Sequence, residues 1–267
     1  MPATRILMCP PDHYHIDYAI NPWMERNTGE VSLELAREQW TALHDAIAAR
    51  AEVTLIEPVE GSPDMVFTAD AGAVCGGVAV ACRFFHPERQ REAGYFKRWF
   101  EEHDYDVHEP PASFEGGDAW IDPEQPWIWI GYGFRSSNAA HRCVGEWLNR
   151  EVLSLKLVDP RFYHLDTCMS VLARGYVMYY PPAFDAESRQ LIEARVPAAK
   201  RIVVAEDDVM KFACNAVNIE DTVIFNSASD TLKSTLAEAG FDPVEIPLGE
   251  FVKAGGSARC LTLKLLG

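Results

Sequence analysis

The chain has 267 residues, of which 48% are apolar and 24% charged, and its net charge is −16. This is enough chain for one large domain or two small ones, with an ordinary globular composition. The negative balance argues against nucleic acid or an anionic membrane surface as partner and is compatible with a small cationic one. No run approaches the ~18 apolar residues of a membrane span, and the start, Met1–Met8, lacks the apolar core of a signal peptide. The seven cysteines (Cys9, Cys75, Cys82, Cys143, Cys168, Cys214 and Cys260) are scattered and form no CxxC pair. Neither a zinc ribbon nor a disulfide framework is expected, and a cytoplasmic protein with reduced thiols fits this pattern.

In chain order, Arg5–Cys9 reads as a buried strand and Val31–Arg50 as a helix with Ser32 as N-cap, followed by a strand over Glu52–Val59. The loop between the first two carries Asn21-Pro22-Trp23-Met24 and has no regular pattern. From Asp64 a unit recurs: an apolar strand with a polar residue at its turn, a short hairpin strand, then a helix. Asp70 leads to Val78–Cys82 and a helix near Gln90–His103. Glu115-Gly116-Gly117-Asp118 leads to Trp127–Tyr132 and a helix near Ala139–Arg150. His164-Leu165-Asp166 leads to Gly175–Tyr180 and a helix near Ala186–Arg195. Cys214-Asn215 leads to Thr222–Asn226 and a helix near Asp230–Ala239.

The steps from Asp70 to Asp118 and from Asp118 to Asp166 are both 48 residues; those to Asn215 and on to Cys260 are 49 and 45. A fixed period of this length points to a propeller or solenoid. The last unit is incomplete after Cys260, and Arg5–Cys9 with Val31–Arg50 supply its missing strand and helix. The expected fold is therefore a closed five-bladed α/β propeller forming a single catalytic domain over residues 1–267. Its helices lie outside and the turn residues of every blade at one end of the axis. That geometry gathers Asp70, Glu115, Asp118, His164, Asp166, Asn215 and Cys260 into one pocket.

Cys260 follows the bend Gly255-Gly256-Ser257, which gives a nucleophile backbone freedom; the bland reading is a buried thiol. A cysteine facing a histidine among carboxylates is a nucleophile with an acid/base partner. So many carboxylates repel one another unless the pocket receives a planar cation, and a guanidinium matches carboxylates two at a time. The same positive charge would favour the thiolate. Taken singly, the Glu115–Asp118 turn and the His164–Thr167 segment read as structural, and a histidine with carboxylates also suggests a metal. No HxH or HExxH spacing supports the metal, and none is expected.

Phe-Glu-Gly-Gly-Asp (114–118), His-Leu-Asp-Thr (164–167), Asp70 in Phe-Thr-Ala-Asp and Gly-Gly-Ser-Ala-Arg-Cys-Leu-Thr (255–262) resemble the guanidino-group-modifying enzymes of the pentein superfamily. The resemblance covers nearly the whole chain. It implies a covalent amidino-cysteine intermediate, no metal or organic cofactor, and a small guanidino substrate, and it leaves homo-oligomer formation open. By the same resemblance Cys260 is the nucleophile, His164 the acid/base and Glu115 the carboxylate bridging His164 and the guanidinium. Asp70 and Asp166 would hold the guanidinium nitrogens. Arg135, with Arg83 beside it, would take the substrate carboxylate. Asp118 would contact substrate or cap its turn, and Asn21 would border the amino-acid end or serve as a turn residue.

The segments Met8–Pro11 and Ile20–Met24 and the tail from Lys253 resemble bacterial arginine dihydrolase modules, which yield ornithine, carbon dioxide and ammonia. Those modules carry asparagine where this chain has Asp70, as deiminases, which yield citrulline, do not. The expected function is a hydrolase of arginine or a close analogue. A dimethylarginine dimethylaminohydrolase or an amidinotransferase is the same-fold alternative. A cysteine peptidase would need an open groove in place of a ring of carboxylates. A non-catalytic propeller, like translation initiation factor 6, is disfavoured by the joint presence of Cys260, His164 and Glu115.

Overall fold

The computed structural model describes residues 4–267, so Met1–Ala3, part of the stretch read for a leader, lie outside the described residues. Strand β1 (Arg5–Met8) is followed by a loop with a 3-10 turn at Met24–Arg26, helix α1 (Leu33–Ala48) and strand β2 (Glu52–Leu55). The first full blade holds β3 (Gly72–Cys75), β4 (Val78–Ala81), α2 (Glu92–Glu102) and β5 (Asp106–His108). The second holds β6 (Ala119–Ile121), β7 (Trp127–Tyr132), α3 (His141–Leu148) and β8 (Glu151–Lys156). The third holds β9 (Met169–Leu172), β10 (Tyr176–Tyr179), α4 (Ala186–Arg195) and β11 (Arg201–Val203), with the short α5 (Glu206–Val209) after it. The fourth holds β12 (Val217–Ile219), β13 (Thr222–Phe225), α6 (Asp230–Glu238) and β14 (Asp242–Glu245). Helix α7 (Gly249–Val252) and β15 (Leu263–Leu265) come last.

Each blade is a three-stranded sheet in which a hairpin pair is antiparallel and the strand after the helix lies parallel to the second. A parallel neighbour requires a crossover, and the helix supplies it. The fifth sheet, β15-β1-β2, joins the two ends of the chain: Arg5 lies opposite Leu265 in the antiparallel pair and beside Glu52 in the parallel one. The first strands neighbour one another around the axis, β3 with β6, β6 with β9, β9 with β12 and β15 with β3. The five-bladed α/β ring read from the repeat period is the observed architecture.

The helices are held by one buried face each. In α1, Ser32 caps the first turn by accepting from the Leu35 N–H, and Ala36, Trp40, Leu43 and Ile47 recur at helical spacing on the buried side. Boundaries differ from the sequence expectation where local chemistry intervenes. The strand after α1 stops at Leu55 rather than running to Val59, because Pro58 has no N–H to give and restricts Glu57 before it. The third helix opens as a 3-10 turn at Asn138–Ala140 and ends at Leu148, where Asn149 takes a left-handed φ of +50°. Among the described residues no helix is long and apolar enough to cross a membrane.

Candidate active site

Every blade enters its first strand from a tight turn, and these turns carry the residues that the repeat gathers. Thr68–Ala71, Gly116–Asp118 and Leu165–Thr167 are 3-10 turns on successive blades, each adjoining the next. Glycine lets them meet. A Cβ on Gly117 would lie 2.6 Å from Asp70 Oδ1 and 2.7 Å from His164 Nδ1, and one on Gly116 would collide with the carbonyls of Ala69 and Gly72. Gly117→Ala is expected to destabilise the fold by about 1–3 kcal/mol, since overpacking forces neighbours off their positions. Thermal melting checks this, and an alanine variant that melts with the parent would refute the packing argument.

Cys260 is presented by the Gly255 bend, where φ is +84°, a region only glycine enters freely. Its Sγ accepts from Asn215 Nδ2 at 3.1 Å and lies 3.5 Å from Asp166 Oδ2. Asn215 also holds the backbone here: its Oδ1 accepts from the N–H groups of Ser257 at 3.0 Å and Cys260 at 3.1 Å. One amide side chain thus fixes the thiol and the turn that bears it. Burial, reinforced by the charges of Asp166 and Asp70, pushes the thiol far above its ordinary range. Burial likewise lifts Asp166 to about 6, against the opposing fields of Arg259 and His164.

His164 lies between two carboxylates, with Nε2 2.8 Å from Glu115 Oε2 and Nδ1 3.4 Å from Asp70 Oδ1. Burial disfavours the imidazolium, but Asp70, the hydrogen bond to Glu115 and the charges of Asp118 and Glu115 outweigh it and raise His164 to about 9. Burial also opposes ionisation of Glu115, yet Arg135 and His164 hold its carboxyl well below the usual range. Arg135 Nη1 donates to Glu115 Oε2 at 3.0 Å, Nη2 donates to the Ile20 carbonyl at 3.0 Å, and the guanidinium lies 4.6 Å over the Tyr163 ring. The ligand-capable atoms of Asp70, Glu115 and His164 lie within 4.8 Å of one another. Two internal guanidiniums, those of Arg135 and Arg89, balance their charge.

Arg89 was not among the residues singled out in the sequence. It is buried, donates to Asp70 Oδ2, and makes a paired contact with Glu92 Oε2 at 2.9 and 3.1 Å. The repeat held the clue. Arg135 follows Asp118 by 17 positions, and the same step from Asp70 falls at position 87, closer to Arg89 than to Arg83. Arg83 is exposed; its side chain donates to the Pro110 carbonyl, and its backbone bridges Phe114 beside the Glu115 turn. It does not reach the cavity.

The cavity is lined by Asn21, Asp70, Arg89, Arg135, Tyr163 and Cys260, among others, and offers room of about 10 Å³, less than one water molecule needs. Glu115, His164 and Asp166, expected to line it, sit one contact behind, touching Arg135, Asp70 and Cys260 respectively. Asn21 borders the cavity with its polar atoms already committed. Its Oδ1 accepts from the Trp23 and Met24 N–H groups and its Nδ2 donates to the Ala254 carbonyl, each at 3.0 Å. Asp118 faces away from the cavity: it accepts from the Leu165 and Ser136 N–H groups and ties its blade to the next, while burial lifts it to about 7.

Comparison with known proteins places this arrangement. The family model described as N,N dimethylarginine dimethylhydrolase, eukaryotic, matches residues 13–266. The chain is 57% identical over 264 residues to the bifunctional arginine dihydrolase/ornithine cyclodeaminase ArgZ of Synechocystis sp., covering 98% of this chain and 37% of that protein. It is 40% identical over 265 residues to an N(G),N(G)-dimethylarginine dimethylaminohydrolase of Mycobacterium tuberculosis, covering 98% of this chain and 86% of that one. The crystal structure of the N-terminal domain of ArgZ, a cysteine-to-serine mutant bound to substrate, superposes with a TM-score of 0.97 at 56% identity, covering 98% of both chains. The chain spans a little over a third of the length of the curated bifunctional relatives it matches. With a family model lying over nearly all of its length, the chain belongs to the N,N dimethylarginine dimethylhydrolase family.

Proposed function

We propose that the chain hydrolyses the guanidinium group of arginine or a close analogue, with Cys260 as nucleophile and His164 as acid/base. The observation that carries this reading is the set of unsatisfied acceptors around the thiol. Asp70 Oδ1 is buried with no hydrogen-bond partner among the described residues, and the side chain of Asp166 accepts only from the thiol. An unmethylated guanidinium brings a full fork of N–H donors to such oxygens. The relatives carry out this chemistry: ArgZ is an arginine dihydrolase, and another structure of its N-terminal domain is covalently bound to a reaction intermediate.

In this reading the entering cation offsets Asp70 and Asp166, and the Cys260 thiol releases its proton to solvent by way of the Asp166 carboxylate 3.5 Å away. Sγ attacks the central guanidinium carbon to give a tetrahedral adduct. The protonated His164, held through Nε2 by Glu115, presents Nδ1 on the Asp70 side and gives its proton to the departing ammonia. The neutral imidazole then takes a proton from water, which adds to the amidino-cysteine carbon; collapse of this second adduct expels the thiolate and releases citrulline. In a deiminase the reaction stops at citrulline; in a dihydrolase a second passage over the remaining ureido group gives ornithine, carbon dioxide and another ammonia. With the cavity at about 10 Å³, substrate enters only when part of its wall moves. Arg135, released from Ile20, then meets the substrate carboxylate.

Incubation with arginine and with methylated arginines, followed by assay for citrulline, ornithine, ammonia and methylamines, tests the proposal. Absence of turnover for every one of them sinks it. Citrulline that accumulates identifies a deiminase, and ornithine a dihydrolase. Dimethylamine release from N(G),N(G)-dimethylarginine would favour the second reading, which the relative from Mycobacterium tuberculosis supports. For the pH dependence, Asp166 must be ionised and His164 protonated. We expect kcat/KM to rise as pH passes about 6 and to fall as it passes about 9. A profile flat across both limbs would contradict these roles.

A further inference from the structure

The first strands run from the site turns toward the far end of the axis, where they enclose a second, larger cavity of about 600 Å³. Its walls are aliphatic, with Val74, Ile121, Leu172, Ile219 and Leu263 each from a different blade. Three cations line it, Arg50, Arg259 and Lys264, and none of them forms an ion pair among the described residues. Arg259 is 6% exposed and its Nη1 donates to the Thr262 carbonyl at 2.6 Å, but its Nε has no partner among the described residues. Its guanidinium lies 4.7 Å over the Trp120 ring, and Trp120 Nε1 is also buried with no partner. Lys264 lines the same cavity and makes no hydrogen bond or ion pair among the described residues.

Buried N–H donors without partners, such as Arg259 Nε and Trp120 Nε1, are costly, and proteins retain them where something supplies the missing acceptor. Of the acids nearby, Asp122 uses Oδ1 to accept from the Glu124 N–H within its own hairpin, and neither Glu124 nor Glu220 forms an ion pair with Arg259 or Lys264. The overall charge of −16 counts for little at the cavity, since charges more than about 10 Å away are largely screened by salt. At the cavity itself Asp122, Glu124 and Glu220 stand among the same walls as Arg50, Arg259 and Lys264, and among the described residues the Arg259 guanidinium forms an ion pair with none of the three acids.

We propose that the far end of the axial channel binds a small organic carboxylate with a short aliphatic body, held by Arg259 and Lys264 with Trp120 Nε1 as a further donor. The aliphatic walls select the body and the planar guanidinium the carboxylate. This site is separate from the cavity at Cys260, and it does not depend on the reaction proposed there.

Titration calorimetry and tryptophan fluorescence of the full chain with glutarate, 4-methylpentanoate and inorganic phosphate test the proposal. The two carboxylates are expected to bind saturably at one site per chain, and phosphate more weakly. Lys264→Met should weaken carboxylate binding about tenfold, the scale of one charge-assisted hydrogen bond, with the melting temperature held. Trp120→Phe should remove the fluorescence change, and Arg135→Ala should leave binding intact. Absence of saturable binding, binding indifferent to Lys264→Met, or phosphate bound as tightly as the carboxylates would each overturn the proposal. So would binding lost in Arg135→Ala, which would place the ligand in the cavity at Cys260.

Discussion

Replacing Cys260 with serine is expected to lower kcat for arginine by about 10⁴-fold or more, because nucleophile deletions remove the whole covalent route. The fold should survive the change. Asn215 holds the turn through the Ser257 and Cys260 backbone N–H groups, which serine keeps, and the side-chain oxygen can take the place of Sγ beside Asn215 Nδ2. Circular dichroism and melting would then match the parent while product formation disappears. Arginine should still bind, because Asp70, Asp166 and Arg135 remain. A serine variant that turns over arginine at the parent rate would remove Cys260 from the reaction.

Glu115→Gln is expected to have the next largest effect, a fall in kcat of about 10²–10³-fold, within the usual range for general acid–base catalysis. Glu115 Oε2 receives both His164 Nε2 and Arg135 Nη1, so one carboxylate sets the charge of the acid and restrains the arginine. Glutamine keeps the shape and loses the charge, leaving the Arg135 guanidinium buried without its counter-ion. Breaking such a pair destabilises by about 3–5 kcal/mol, so melting should fall as well. The reading that separates catalysis from packing is the titration of His164 by NMR. Its value of about 9 should move down toward 6.5, and the alkaline limb of kcat/KM should move with it. An unchanged His164 titration would mean that Glu115 does not tune the acid.

The blade architecture was legible in the sequence because a ring built from one repeated unit writes its period into the spacing of its turn residues. Asp70, Asp118, Asp166, Asn215 and Cys260 mark that period without any knowledge of contacts. The third strand of each full blade was not legible. Asp106–His108, Glu151–Lys156, Arg201–Val203 and Asp242–Glu245 lie partly exposed at the sheet edge with charged residues among them, so they lack the apolar run that announces β3 or β9.

The chain by itself determined which residue types meet: a cysteine, a histidine, carboxylates and an amide at one repeat position, and the glycines that let their turns touch. Only the tertiary structure decided what each of them faces. Arg89 came to Asp70 across 19 residues because the loop after β4 folds inward, while Arg83, nearer in sequence, turned to the surface. Asp118 was spent on the Leu165 N–H of the next blade and the Ser136 N–H of its own, and Asn21 on the loop that bears it. Side-chain direction, burial and pairing arise from contacts among all five blades, and no single repeat carries them. For that reason the period could locate Cys260, while the Asn215 amide that holds it and the carboxylates that raise its proton affinity became visible only in the closed ring.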